Sequence, residues 1–397
     1  QVNNVSNTGN IIYKRDTTPV RRYDYTYWSS PVDLQIMAAF SPLTMSDKYY
    51  WFNPNIYNWE NVVAPALTPM DIGKGYIIRA PQSFDPVATA VFHGSFIGKP
   101  NNGDYSTNVT YTDPTHDLNC LGNPYPSALK ADDFILANPS VFGSGTTLYF
   151  WTHNTPITNY NYTFSDYAVY NFTGSTGTGT GVPGANNLAP NGYIAAGQSF
   201  MIKAVASGTA NFTNSMRVAS NNDRFYRAQN SNTQKHRIWL NLTDSQNNYQ
   251  QLLIGYVQNA TNQYEPAYDG LLLEAGNSLS FYSKTDGYKL SIQGKSLPFD
   301  LLDTVALGFR VSAAGTYTIS QFNNTTATNV LGIFGNATKV GIGFANTTPM
   351  AYDVQTKKWS VTINLVDGKK FSFKTGNTTP IAAVLTGAGS GIVGEIG

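Results

Sequence analysis

One block of motifs occurs twice in this chain, in the same order, and that repetition limits the possible folds more than any other feature. Gly73-Lys-Gly-Tyr-Ile-Ile-Arg-Ala80 followed by Thr89-Ala-Val-Phe-His-Gly-Ser-Phe96 returns as Gly197-Gln-Ser-Phe-Met-Ile-Lys-Ala204 followed by Thr209-Ala-Asn-Phe-Thr-Asn-Ser-Met216. Tyr50-Trp51 is matched by Phe150-Trp151, and Trp28-Ser-Ser-Pro31 by Gly122-Asn-Pro-Tyr-Pro-Ser127. Self-similarity of this kind marks a duplicated supersecondary unit. Residues 20–115 and 116–218 therefore read as two diverged copies, with Phe92 and Phe212 expected in equivalent strands. Pro124 and Pro126 each remove a backbone donor and pin φ, so the hexapeptide is expected to be a rigid turn that opens the second copy.

Nearly every other segment reads as strand. Tyr76–Arg79, Thr147–Trp151, Arg237–Leu242, Gln251–Tyr256, Tyr288–Ile292 and Gly315–Ile319 are short, rich in aromatic and β-branched residues, and bounded by Gly, Asn, Asp or Pro. This predicts an all-β protein of tandem β-sandwich modules, jelly-roll or immunoglobulin-like, with the duplication in its first half. Helical turns are expected only at Ser127–Leu136, with Ser127 as N-cap, and at Val32–Phe40 in the matching place of the first copy. The remaining boundaries follow from composition. Residues 1–19 form an N-terminal segment, 219–235 a polar linker, 236–322 a β-sandwich domain and 323–397 a small C-terminal β domain and tail. Within the last, Lys358–Leu365 turning at Asp367-Gly368 into Lys370–Lys374 has the signature of a hairpin. Gly174–Gly181 reads as a flexible insertion that would need a partner to become ordered.

Only 12% of residues are charged and the net charge is +1, while 41% are apolar and 13% aromatic. Such a chain can bury enough surface to fold, but it lacks the clustered cations that capture nucleic acid. No apolar run is long enough to insert in a membrane as a helix. The first residue, Gln1, fits removal of a secretion signal. Cys120, alone and in apolar surroundings, reads as a buried small hydrophobe with no partner for a disulfide.

The search for catalytic groups finds little. His93, His116, His153 and His236 show neither metal-ligand spacing nor a partner nucleophile. Asp132 and Asp133, adjacent on a helical turn, point too far apart to flank a glycosidic bond. Asn101-Asn-Gly-Asp104 offers oxygen atoms to calcium but reads first as a turn. The expectation is therefore no enzyme, no cofactor and no metal.

The motifs of the first half, together with Arg237–Leu242, Leu253–Val257, Tyr268–Gly270 and Ile292–Asp300, resemble the β-rich modules of large surface proteins exported by the type IX secretion system of Gram-negative bacteria. Gly335–Thr338 and Trp359–Phe373 are similar to small β domains of outer-membrane starch-binding lipoproteins. The resemblance implies a secreted or cell-surface location and a role in adhesion or in filaments. The family's C-terminal sorting domain is replaced here by a Gly-rich end, Gly387–Gly397.

Two readings of function follow. One is a structural or adhesive surface protein that assembles with itself by strand addition, using Ile11 and Ile12 or Ile392 and Val393. The other is a secreted carbohydrate-binding protein, with Tyr57, Trp59, Tyr160 and Tyr162 in polar loops as the sugar-stacking candidates and Trp28, Trp51 and Trp151 in the core. Thr304 within Asp303-Thr-Val305 is a candidate O-glycosylation site, and N-glycosylation sequons occur at Asn108, Asn171, Asn241, Asn336 and Asn377.

Overall fold

The computed structural model describes residues 7–155, 157–158, 161–162, 165–179, 189–222, 236–274, 279–298, 305–312 and 316–324, with the later strands Gly332–Gly335, Thr347–Pro349, Ala351–Asp353, Lys358–Asn364, Phe371–Lys374 and Ile392–Glu395. The protein is all-β, built of several sheets that are mostly antiparallel. Among the described residues the α-helices are short: Met37–Phe40, Ala131–Leu136 and Pro139–Phe142. The chain divides into two compact units, one of Gln1–Ile157 with Gly184–Gln229 and the other of Thr158–Pro183 with Asn230–Gly397.

In the first unit the repeat is visible as a repeated pairing scheme. Tyr76–Arg79 lies between Tyr25–Trp28 and Tyr49–Asn53, and Ser199–Lys203 lies in the same way between Leu118–Gly122 and Leu148–Trp151. Each triplet has a companion ribbon: Ile11–Asp16 with His93–Gly98, and Tyr105–Val109 with Gly208–Phe212. These ribbons start the copies at Ile11 and Tyr105, upstream of the edges expected from the motifs.

The registers also correct two of the motif matches. Phe96 faces Tyr13 as Phe212 faces Tyr105, so the equivalent of Phe212 is Phe96 rather than Phe92. Helical phenylalanines stack on both: Phe40 on Phe96 at 4.3 Å and Phe134 on Phe212 at 4.6 Å between ring centroids. Likewise, Tyr50 pairs with Ile77 and Tyr149 with Met201, which makes Trp51 equivalent to Phe150. Because side chains alternate faces along a strand, the one-residue slip in the motif match had assigned Trp151 to the wrong face.

The two copies meet through small residues. Gly122 N–H donates to the Gly73 carbonyl at 3.0 Å, and Ser29 N–H donates to the Gly197 carbonyl at 3.0 Å. Gly73 and Gly197, at φ +78° and +77°, hold the left-handed turns that bring each copy's strand against the other. A Cβ on Gly122 would lie 2.2 Å from the Ser29 Cβ, and one on Gly75 would lie 2.4 Å from the Cys120 sulfur. Around these contacts the first copy packs Trp28, Met37, Phe40, Tyr49, Tyr76, Ile78 and Phe96 into a core.

The Pro-Tyr-Pro turn is braced by side chains. The Tyr125 hydroxyl donates to the Gly103 carbonyl at 2.6 Å, Asn101 Nδ2 donates to the Pro124 carbonyl at 2.9 Å, and the Arg217 guanidinium lies 4.8 Å from the Tyr125 ring centre. Ser127 does not cap the helix that follows. Its Oγ accepts from Arg217 Nε at 2.9 Å, and the helix begins at Ala131 after an uncapped Lys130.

The second unit is organised on His236–Thr243, which pairs antiparallel with both Tyr249–Val257 and Thr316–Asn324. Tyr249–Val257 also pairs parallel with Tyr288–Ser296. Lys358–Asn364 and Ala351–Asp353 extend this sheet at one end and Ile392–Glu395 at the other. Among the described residues the two arms of the expected hairpin pair elsewhere: Lys358–Asn364 with Thr316–Asn324, and Phe371–Lys374 with Gly332–Gly335. Asp367 and Gly368 lie outside the described residues. The glycine-rich insertion is ordered by partners in this unit as far as Gly179. Thr178 pairs with Gln250, Gly177 N–H donates to Gln251 Oε1 at 3.0 Å, and Trp239 Nε1 donates to the Ser175 carbonyl at 2.8 Å.

Candidate functional site

A cleft in the first unit lies where the two copies adjoin. It has a volume of about 390 Å³, the size of a small-ligand pocket. Trp51, Phe52 and Asn55 come from the first copy's strand Tyr49–Asn53 and the turn after it, and Asp71 and Lys74 from the turn before Tyr76. Ser106, Thr107, Asn108 and Asn119 come from strands of the second copy. No contiguous stretch of sequence contains this wall. Pairing of Lys74 with Leu121 across the copies assembles it.

Trp51 packs against the rim of the first copy's core and is half-buried. The Lys74 ammonium sits 4.0 Å from the Trp51 ring centre and 3.4 Å from Asp71 Oδ2. Asp71 Oδ2 also accepts from the Tyr76 hydroxyl at 3.1 Å, which in turn accepts from the Asp71 N–H at 3.0 Å. Burial is the main reason the Tyr76 phenol is held above its ordinary pKa. The Asn119 amide is spent on the backbone of Thr110, and Ser106 Oγ donates to Asn211 at 2.7 Å. Lys74, Asp71, Asn55, Thr107, Asn108 and Thr110 are the other polar residues that line the cleft.

Cys120 lines the base of the cleft but is buried, and burial pushes its thiol up to about 12. It is therefore a packing residue, poorly suited to nucleophilic work. His153 is buried and lowered to about 4 by desolvation, with Nε2 2.7 Å from Thr18 Oγ1. His93 and His116 are exposed beside Asp16 and Asp113, and His236 is half-buried. Asp133 pairs with Lys130 at 2.9 Å on the surface. Asn101 is buried as a brace for Ser30 and Pro124, so the Asn101–Asp104 segment is a turn. Among the described residues no cluster of His, Cys, Asp and Glu could hold a metal ion.

The aromatic residues expected to stack on sugars are placed differently. Tyr57, at φ +52°, packs edge-on against Phe52 and His116, with ring centres 5.5 and 4.8 Å away. Trp59 packs between Tyr27 and Phe52 at 5.5 and 5.4 Å. Both therefore spend ring surface on neighbouring aromatic side chains, and neither lines the cleft. Tyr162 is half-buried, and Tyr160 and Thr304 lie outside the described residues. Trp28 is buried as expected for core, whereas Trp51 and Trp151 are half-buried. The sequence pattern places Trp51 in the core and gives no signal for Lys74. Of the sequons, Asn171 and Asn241 are buried, Asn108 lines the cleft, and Asn336 and Asn377 lie outside the described residues.

The strands assigned to assembly are paired within the chain. Ile11 and Ile12 face Gly98 and Ile97, and Val393 and Ile392 face Arg310 and Val311.

A family model described as a domain of unknown function, DUF8693, matches residues 1–364. No curated protein matches the chain, and no solved structure does.

Proposed function

The chain belongs to the DUF8693 family, and on that premise we propose that it is a non-catalytic adhesive protein of the cell exterior that binds glycan in the cleft where its two copies adjoin. The observation that carries the reading is a half-buried indole, Trp51, in a cleft whose other lining groups are amides, hydroxyls, the Lys74–Asp71 pair and apolar side chains such as Phe52, Ile72 and Leu121. Sugar rings present C–H faces to an aromatic ring and hydroxyls to amides, so this mixture matches their surface. The surface location rests on the motif resemblance to type IX exported modules. No helix among the described residues is long and apolar enough to cross a membrane.

Calorimetric titration of the purified protein with a panel of cell-wall and exopolysaccharide oligosaccharides tests this reading. Trp51→Ala should weaken binding at least ~10-fold, the equivalent of ~1.4 kcal/mol, while circular dichroism stays unchanged. If no oligosaccharide binds, or the variant binds as tightly as the parent, glycan binding at this site is refuted. Self-association by strand addition has less support, since Ile11, Ile12, Ile392 and Val393 already have partners in their own chain. Sedimentation across a concentration series measures it independently.

A further inference from the structure

We infer that the saccharide bound in this cleft is acidic, a uronate whose carboxylate is taken by Lys74 while its ring rests at Trp51. This deepens the glycan reading and rests on it.

Lys74 is the cation of the cleft, and little of its hydrogen-bonding capacity is used. An ammonium has three donors, and here they meet one carboxylate oxygen at 3.4 Å, longer than an ordinary charged hydrogen bond. Asp71, its partner, is largely exposed, at 65% of its side-chain surface. Such a pair is worth little in water, so exchanging Asp71 for a ligand carboxylate costs little. Asp71 would not be left alone, because the Tyr76 hydroxyl still donates to it at 3.1 Å. The ammonium stands over the Trp51 ring, 4.0 Å from its centre, so a sugar carboxylate drawn to Lys74 would bring its ring against the remaining edge of the indole.

The second copy supplies a control within the same molecule. Gln198 occupies the position equivalent to Lys74, since each forms the bridge to the opposite copy, Lys74 to Leu121 and Gln198 to Trp28. The Gln198 side chain is spent, its Oε1 accepting from the Ala195 N–H at 3.0 Å. Where the chain has the open cleft it carries a charged side chain reaching into it, and at the related position it carries a neutral one turned to its own backbone.

The probe is tetragalacturonate, with its methyl ester as the uncharged counterpart of the same shape. At low ionic strength the wild-type protein should bind the acid at least ~10-fold more tightly than the ester, the scale of one charge-assisted hydrogen bond, and salt should narrow the difference. Lys74→Gln, which copies the second repeat, should erase the preference. Asp71→Asn, which releases Lys74, should widen it, an effect opposite in sign to that of a merely damaging substitution. Equal affinity for acid and ester, or an unchanged preference in Lys74→Gln, overturns the assignment and leaves the glycan reading standing. Binding of neutral oligosaccharides alone does the same. Failure of every saccharide to bind removes both.

Discussion

Asp24 and Asp117 begin equivalent strands in the two copies, and the comparison between them shows how far a duplicated backbone can keep its chemistry while its partners change. The carbonyl of each accepts from an equivalent amide, Ala80 N–H at 2.9 Å and Ala204 N–H at 2.8 Å. Each is buried, with one carboxylate oxygen lacking a hydrogen-bond partner. Their second oxygens are served differently. In the first copy the Arg21 backbone N–H donates to Asp24 at 2.7 Å, with the guanidinium 3.9 Å away. In the second, the Lys203 ammonium reaches Asp117 at 2.9 Å. Backbone pairing is thus the conserved quantity between the copies, and side-chain partners are what diverged. The same rule made the cleft: the bridge residue stayed in place, and its side chain became Lys74 in one copy and Gln198 in the other.

The sharpest way to break the equivalence is through the stacked phenylalanines. Phe40→Ala and Phe134→Ala each empty a buried site beside an aromatic partner, and each should cost about 3–5 kcal/mol. Equal losses in urea unfolding would support equal roles in the two copies. A loss in one copy more than ~2 kcal/mol greater than in the other exceeds the usual context scatter for the same substitution and would mean that the copies are packed differently.

The seam offers a test by exchange. Gly122→Ser would drive a Cβ to within 2.2 Å of the Ser29 Cβ, and overpacking of this kind costs about 1–3 kcal/mol. Ser29 holds the position in the first copy that Gly122 holds in the second, as the paired donations to Gly197 and Gly73 show. Adding Ser29→Gly should therefore restore most of the loss. A double variant as unstable as the single one would show that the seam is not symmetric. A double-mutant cycle on urea midpoints reads this directly.

How much of this was legible beforehand differs from element to element. The glycines at 73 and 197 betrayed the repeat because only a special backbone needs them, and a backbone requirement survives divergence. Phe92 and Phe96 both match Phe212 in residue type, and only pairing with Tyr13 and Tyr105 tells them apart. The Asp367-Gly368 turn signal was local, whereas the partners of Lys358–Asn364 are strands elsewhere in its sheet. The cleft was invisible for the same reason: Trp51, Lys74 and Asn108 share no motif and meet only through non-local pairing. The correct match of Trp51, Phe150, is fully buried, so even the right register points Trp51 to the core, and only the cleft beside it leaves the indole half-buried.

A smaller effect should separate the two aspartates by pH. Desolvation by burial raises Asp24 to about 6, against lowering by Arg21, and desolvation also raises Asp117, against lowering by Lys203. A carboxyl whose folded pKa lies above its unfolded value of 3.8 holds its proton more tightly when folded. Its contribution is complete below pH 3.8 and is lost as the pH climbs through about 6. Asp24→Asn should therefore flatten the fall in Tm of the first unit between those two pH values, removing up to about 3 kcal/mol of pH-dependent cost. Asp117→Asn should flatten it less, because hydrogen bonding and charge from Lys203 oppose the desolvation of Asp117. His153 acts in the opposite direction: lowered to about 4 by desolvation, it costs stability as the pH falls below 6.5. The pH scan is best read in a His153→Gln background. A slope untouched by Asp24→Asn would remove Asp24 from the account.

The smallest expected effect concerns the turn that differs most between the copies. Ser30 Oγ accepts from the Val32 N–H at 3.2 Å, and Asn123 Oδ1 accepts from the Tyr125 N–H at 2.9 Å, so one local hydrogen bond shapes both turns. Pro31 and Pro124 follow those two residues, and Pro126 is an addition of the second copy. A proline already in an unstrained conformation stabilises mainly by restricting the unfolded chain, so Pro31→Ala, Pro124→Ala and Pro126→Ala should each cost about 0.4–1 kcal/mol. Asn123 does more than its counterpart: its Nδ2 also donates to the Ser127 and Ile194 carbonyls at 2.8 and 2.9 Å. Asn123→Ser, which writes the first copy's residue into the second, should therefore cost more than any of the three prolines, since one buried and one part-buried carbonyl lose a donor. Differential scanning calorimetry of the four variants orders them. If Asn123→Ser proves as mild as Pro124→Ala, the amide is a bystander and the prolines alone hold the second turn.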